Sequence, residues 1–218
     1  MSDEMAYVLP MGTFLLFTWA GGNWPEFFAW SYAIKTVLAA ALLWGLKSHY
    51  TKISWRCAWL GAIVGVVGLV QWVGMEKLLL HEWPGYPRLS HPAYVPGEHF
   101  SVAWQKWLFI MVRWSGASLV VPFMEEFFWR DFLWRTLIAP NNFKLAAVGE
   151  WDLRAFLIVA VLFGAGVHIE WMTAIVWGLM IGWLLVKTRS LGACVIAHAV
   201  TNFLLGAYVL YSGDWAFW

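Results

Sequence analysis

Charge is scarce in this sequence. Only 12% of its 218 residues are Asp, Glu, Lys or Arg, against 61% hydrophobic, and the mean hydropathy is +0.64. An ordinary soluble domain carries about 25% charged residues. This chain cannot cover a water-facing surface, so the bilayer is its solvent. A net charge of +1 argues against nucleic acid as a partner, because binding phosphate takes a basic patch. Cysteine is scarce too. Cys57 and Cys194 lie in separate apolar segments, which argues against a disulfide framework or a cysteine metal site. Each reads as a small buried hydrophobe. The start, Met1-Ser2-Asp3-Glu4-Met5, is acidic. A cleaved signal would open with a basic region, so the first apolar segment is expected to be a retained span. No Gly-x-Ser-x-Gly elbow and no His-Glu-x-x-His pair occurs. His81-Glu82 is followed by Trp-Pro-Gly and is read as loop.

What is there is long apolar runs. A transmembrane helix needs about 20 mostly apolar residues. Seven segments qualify or come close: 6–22, 27–46, 57–75, 104–128, 154–168, 171–186 and 191–211. The fourth is expected to run on to about 137, and the fifth and sixth are short, so the range is six to eight spans. The expectation is an all-α, polytopic transmembrane bundle of about seven helices. It forms one integral membrane domain over 1–218, with the motif-bearing part at about 104–211. A stretch at about 76–103 holds Pro84, Pro87, Pro92 and Pro96 and is expected to be irregular. Gly61-x-x-x-Gly65 and Gly178-x-x-x-Gly182 let helices approach closely. They are read as internal packing rather than dimerisation.

Lys and Arg set orientation. With the N-terminus cytoplasmic, Lys47, Lys52, Arg56, Arg130, Arg135, Lys144, Arg154, Lys187 and Arg189 face the cytoplasm, and Lys77, Arg88 and Lys106 face outward. The bias favours that topology, in an inner (cytoplasmic) membrane. Lys35 and Arg113 lie within spans.

Ionisable groups inside a membrane are costly and mark function by default. Besides Lys35 and Arg113, those left after loops and span ends are Glu125, Glu126, Arg130 and Asp131, then His168 with Glu170, then His198 with Asn202. At 100° per residue, Glu126 and Arg130 share a helix face and can pair, whereas Glu125 points about 140° away from Arg130. Glu125 is then the available carboxylate and Glu126 the braced one. The alternative is an ion-pair network that only fixes packing. His198 and Asn202 also share a face. At ~1.5 Å per residue, Glu125 lies ~15 Å along its helix from Arg135, His198 ~13 Å from Arg189 and His168 ~21 Å from Arg154. These levels are compatible, and bundles build sites from facing helices in this way.

Together the three stretches resemble the CPBP family, the CAAX protease and bacteriocin-processing intramembrane proteases. That family carries Glu-Glu-x-x-x-Arg, Phe-x-x-x-His and His-x-x-x-Asn/Asp on successive helices. Glu125-Glu126-x-x-x-Arg130 and His198-x-x-x-Asn202 match, whereas Phe163 and His168 are separated by four residues instead of three. Either Phe163 turns to another face or a glycine bulge absorbs the extra residue. The resemblance implies peptide-bond hydrolysis in the membrane. Glu125 and His168 would hold and activate water, His198 and Asn202 would stabilise the oxyanion, and Arg130 would orient Glu126 in support. It implies no cofactor, with Glu125, His168 and His198 as an alternative zinc set. A membrane-associated or lipid-modified protein would be the substrate. The ending "TRSLGACVIAHAVTNFLLGAYVL" looks like the CAAX-protease-related proteins that accompany bacterial exosortase systems, which implies a partner from such a system. Other readings of the buried polar groups are a non-enzymatic immunity or chaperone-like protein on the same fold, or a small transporter. Many transporters carry internal repeats, and none is seen.

Overall fold

The computed structural model describes residues 1–87 and 93–218. The seven apolar segments appear as seven helices, α1 Asp3–Asn23, α2 Phe28–Gly45, α3 Ala58–Glu82, α4 Ala103–Ile138, α5 Leu153–Val167, α6 Trp171–Thr188 and α7 Leu191–Ser212. Six of them are long and apolar enough to cross a membrane, and α5, with 15 residues, is shorter. Among the described residues there is no strand. This is a multi-pass membrane protein.

Local chemistry sets the helix ends. Asp152 caps α5 by accepting from the Ala155 N–H at 2.7 Å, and Ser190 caps α7 by accepting from the Ala193 N–H at 3.1 Å. Such caps satisfy amide groups that a helix start leaves without partners. Gly149, between α4 and α5, has φ +70°, and a Cβ there would meet the Leu185 carbonyl oxygen at 2.6 Å. Only glycine suits both the backbone and the approach.

The stretch at 76–103 departs from expectation. The run Lys77-Leu-Leu-Leu80 carries α3 nearly two turns further, through His81 and Glu82, which are helix and not loop. Trp83-Pro84 stops it, because a residue before proline disfavours the helical conformation. Glu76 thereby becomes a buried helix residue, and Thr173 Oγ1 donates to its Oε2 at 2.8 Å. A single helical turn at Pro96–His99 interrupts the rest. Arg88 and Pro92 lie outside the described residues.

α4 runs without a break to Ile138, but it is not the regular α-helix that the 100° spacing presumes. It opens into π-helical turns over Gly116–Val120 and Phe127–Leu133, on either side of the Glu125-Glu126 pair. Pro122 offers no N–H to the turn before it and crowds the residue-118 carbonyl. The first π turn lies at that place.

The bundle core forms where α7 lies on α3 and α5 on α6. A Cβ on Gly61 would meet the Ala193 carbonyl oxygen at 2.3 Å, and one on Gly65 the Ala197 carbonyl oxygen at 2.7 Å. Gly178 faces Ala160, and Gly182 faces Phe156 and Trp134. Both glycine pairs therefore serve packing within the chain.

The far end of α4 is tied to α1. Asp131, part of the charged cluster, pairs with Arg135 and accepts from the Tyr7 hydroxyl at 2.7 Å. Arg135 also donates to Thr51 Oγ1 at 2.9 Å and the Ala146 carbonyl at 2.8 Å. Arg135 is buried here, although it counts among the cytoplasmic-side charges.

Candidate active site

Glu126 has no solvent exposure and is held from two sides. Arg130 Nε lies 3.3 Å from Oε2, and His198 Nδ1 lies 2.9 Å from Oε1. The expected Glu126–Arg130 pair therefore forms, and α7 supplies a second partner that helix geometry alone could not reveal. Arg130 has two further terminal nitrogens without hydrogen bonds, and its guanidinium lies over the Phe163 ring at 4.5 Å and the Trp177 ring at 5.6 Å. A guanidinium is weakly hydrated and stacks on aromatic faces, so these rings replace part of its hydration.

Glu125 is buried as well, but it is not braced. Among the described residues no group hydrogen-bonds its Oε2, and His198 Nε2 lies 4.0 Å away. The single ring of His198 thus sits between both carboxylates, nearer to Glu126. It is positioned by the edge of Trp177, whose ring centroid is 4.7 Å away.

His168 ends α5 with an extended backbone, φ −115° and ψ 140°. Leaving the helix absorbs the extra residue after Phe163. The two rings lie 4.4 Å apart, and Nδ1–H donates to the Phe163 carbonyl at 2.9 Å. A carbonyl only accepts, so the proton sits on Nδ1, and in a neutral ring Nε2 carries the lone pair. Phe163 stays in the group and touches His168, Arg130 and Trp177.

Asn202 reaches the same region from α7, and its Nδ2 donates to the Ala117 carbonyl at 2.8 Å in the first π turn. Its amide has a second N–H. Glu125, His168, His198 and Asn202 all line one cavity of about 300 Å³, which extends to Arg113 and Tyr32. The structure thus gathers the four proposed catalytic residues, with Glu126 and Arg130 behind them. Among the described residues no set of three or more His, Cys, Asp or Glu is arranged to hold a metal ion. As they stand, Glu125, His168 and His198 are not a ready ligand set for zinc.

Residues 103–204, a little under half of the chain, match the family model described as Type II CAAX prenyl endopeptidase Rce1-like. This part of the chain is similar to the Rce1-like endopeptidases. The match begins with α4 and ends two residues after Asn202, so it includes each motif residue. It agrees with the CPBP resemblance and supports a membrane-embedded peptidase at the level of the family. No curated protein and no solved structure gave a significant match.

Sequence reasoning missed Trp177, which orients His198 and supports Arg130. One tryptophan among 19 carries no signal of its own. Spacing from His198 could not find it, because it lies on another helix.

Proposed function

We propose that the protein is an intramembrane endopeptidase that cuts a membrane-associated or lipid-modified protein with a water activated by Glu125 and His168. The reading rests above all on the difference between the two adjacent carboxylates. Glu126 is committed to Arg130 and His198, whereas Glu125 faces the cavity with an oxygen that none of the described residues hydrogen-bonds. A general base must be able to accept a proton, and its contribution is about 10²–10⁴-fold.

In this mechanism a water between Glu125 and His168 Nε2 gives its proton to Glu125 as its oxygen attacks the scissile carbonyl. The oxygen of that carbonyl becomes an oxyanion. His198, protonated on both nitrogens, gives one N–H to Glu126 and the other to the oxyanion. Asn202 adds its remaining amide N–H. Donors of this kind are each worth about 10²–10³-fold. Glu125 then returns the proton to the leaving amine, and the two peptide fragments separate. No step needs zinc. The bilayer is the inner membrane, with the N-terminus in the cytoplasm and the site entered near the cytoplasmic half. An exosortase-type system would supply the partner.

The test is cleavage of a peptide library by the purified protein in nanodiscs, comparing wild type with Glu125→Ala. Cleavage lost in the variant supports the reading. A cellular activity that survives Glu125→Ala replaces it with the non-enzymatic reading on the same fold.

A further inference from the structure

Arg113 lies one helical stretch before Glu125 on α4, inside the apolar part of the chain. It lines the same cavity as Glu125, His198 and Asn202. Among the described residues its buried Nη1 has no hydrogen-bond partner, and no carboxylate stands within ion-pair distance of it. Its guanidinium faces are covered by rings: Tyr32 at 4.8 Å, Trp218 at 5.3 Å and Phe28 at 5.4 Å. Stacking occupies the faces of the fork and leaves its edge, where the N–H groups point, for a planar anion.

The other buried cation of this region, Lys35, is provided for differently. It donates to Thr18 Oγ1 at 2.9 Å and sits over the Phe14 and Tyr32 rings at 4.3 Å each. It does not line the cavity. A cation held in a membrane without a counter-ion is costly, so the one that opens into a cavity is the one a ligand can complete.

We infer that Arg113 is a specificity-determining residue that binds a carboxylate of the substrate peptide. This rests on the reading of the cavity as a peptide site. The carboxylate belongs either to the free C-terminus of the peptide or to an Asp or Glu side chain within it. Arg113 and Glu125 are twelve residues apart on one helix, ~18 Å at ~1.5 Å per residue. An extended peptide covers ~3.3 Å per residue, so the carboxylate lies no more than about five residues from the bond that is cut.

The experiment uses the full chain in nanodiscs and three pools of random hydrophobic octapeptides. One pool ends in a free carboxylate, one in a carboxamide, and one in a carboxamide with a single glutamate at varied position. Retention is measured on Glu125→Gln protein by mass spectrometry, so binding is read without cleavage. A hydrogen bond to a charged group contributes about 1.5–3 kcal/mol, which corresponds to ~10- to 100-fold in affinity. At least one carboxylate pool is expected to be retained tenfold or more over the plain carboxamide pool. Which pool it is identifies the source of the carboxylate. Adding Arg113→Gln should erase the preference, and adding Arg113→Lys should weaken it at least threefold, because an ammonium lacks the fork. If the glutamine variant does not purify, the lysine variant decides. Equal retention of the pools, retention of none, or an undiminished preference in either Arg113 variant overturns the inference. Wild-type protein given the same pools is assayed separately for new peptide termini. Absent cleavage there counts against the protease and leaves the Arg113 preference as its own result.

Discussion

One ring of His198 spans the two adjacent glutamates, with Nδ1 at 2.9 Å from Glu126 and Nε2 at 4.0 Å from Glu125. The two carboxylates are neighbours in sequence and opposites in circumstance. Glu126 is held between Arg130 and His198. Among the described residues the Oε2 of Glu125 has no hydrogen-bond partner, and its ion-pair contact with His198 is at 4.0 Å.

Glu125→Gln and Glu126→Gln should therefore fail in different ways. The first is expected to lower cleavage about 10²–10⁴-fold while the melting temperature in detergent holds. The second leaves Arg130 buried without its carboxylate, at about 3–5 kcal/mol, so stability and activity fall together. Cleavage rates per folded molecule, measured beside thermal unfolding, separate the two. Equal destabilisation by both changes would assign both glutamates to packing.

Chelation gives an independent check of the mechanism. Cleavage is expected to persist at full rate in 1,10-phenanthroline. Inhibition that added zinc reverses would make Glu125, His168 and His198 metal ligands after rearrangement.

Tyr7→Phe probes the link between α1 and α4. The hydroxyl donates to Asp131 and accepts from the Thr51 N–H at 2.8 Å. Its loss leaves a buried carboxylate and an amide each short of a partner, at about 1.5–3 kcal/mol. The expected result is a lower melting temperature, with cleavage per folded molecule within about twofold.

Two glycines should respond with opposite signs. In Gly65→Leu the new side chain starts 2.7 Å from the Ala197 carbonyl and from Val200. It pushes α3 off the helix that carries His198 and Asn202. Overpacking of this kind costs about 1–3 kcal/mol, and activity should drop with it. A Cβ added at Gly12 would have nothing within 4 Å of it, so Gly12→Ala should gain about 0.5–1 kcal/mol. Thermal melts of both proteins test the pair.

The helices were legible because lipid leaves little choice of backbone. Every N–H and C=O must be satisfied within its own segment, so apolar runs become helices close to where they lie in the sequence. The Glu126–Arg130 pair was legible for a similar reason, being local to one helix. His198 as a partner of Glu126 was not, since spacing within α7 says nothing about what α4 presents to it. Phe163 and His168 illustrate the same limit: a helix rule puts their rings on different faces, but the chain ends the helix between them. Glu76 was hidden by the prolines beyond it, which end the helix later than their density suggests.

The π turns on both sides of Glu125-Glu126 have a consequence for the tolerance of this chain to change in length. Each π turn holds one residue more than an α turn would, and each residue of a helix rotates the chain beyond it by about 100°. The long helix therefore behaves like a dial with two extra clicks. Remove one residue from Gly116–Val120 and the helix can close into a regular ladder, straighter and locally better bonded. The side chains beyond the deletion would then keep nearly their present direction, because the turn loses its extra residue and not its full circle. A single-residue deletion inside a π turn can therefore be absorbed, whereas one in a regular α-helical stretch would re-aim everything beyond it by about 100°.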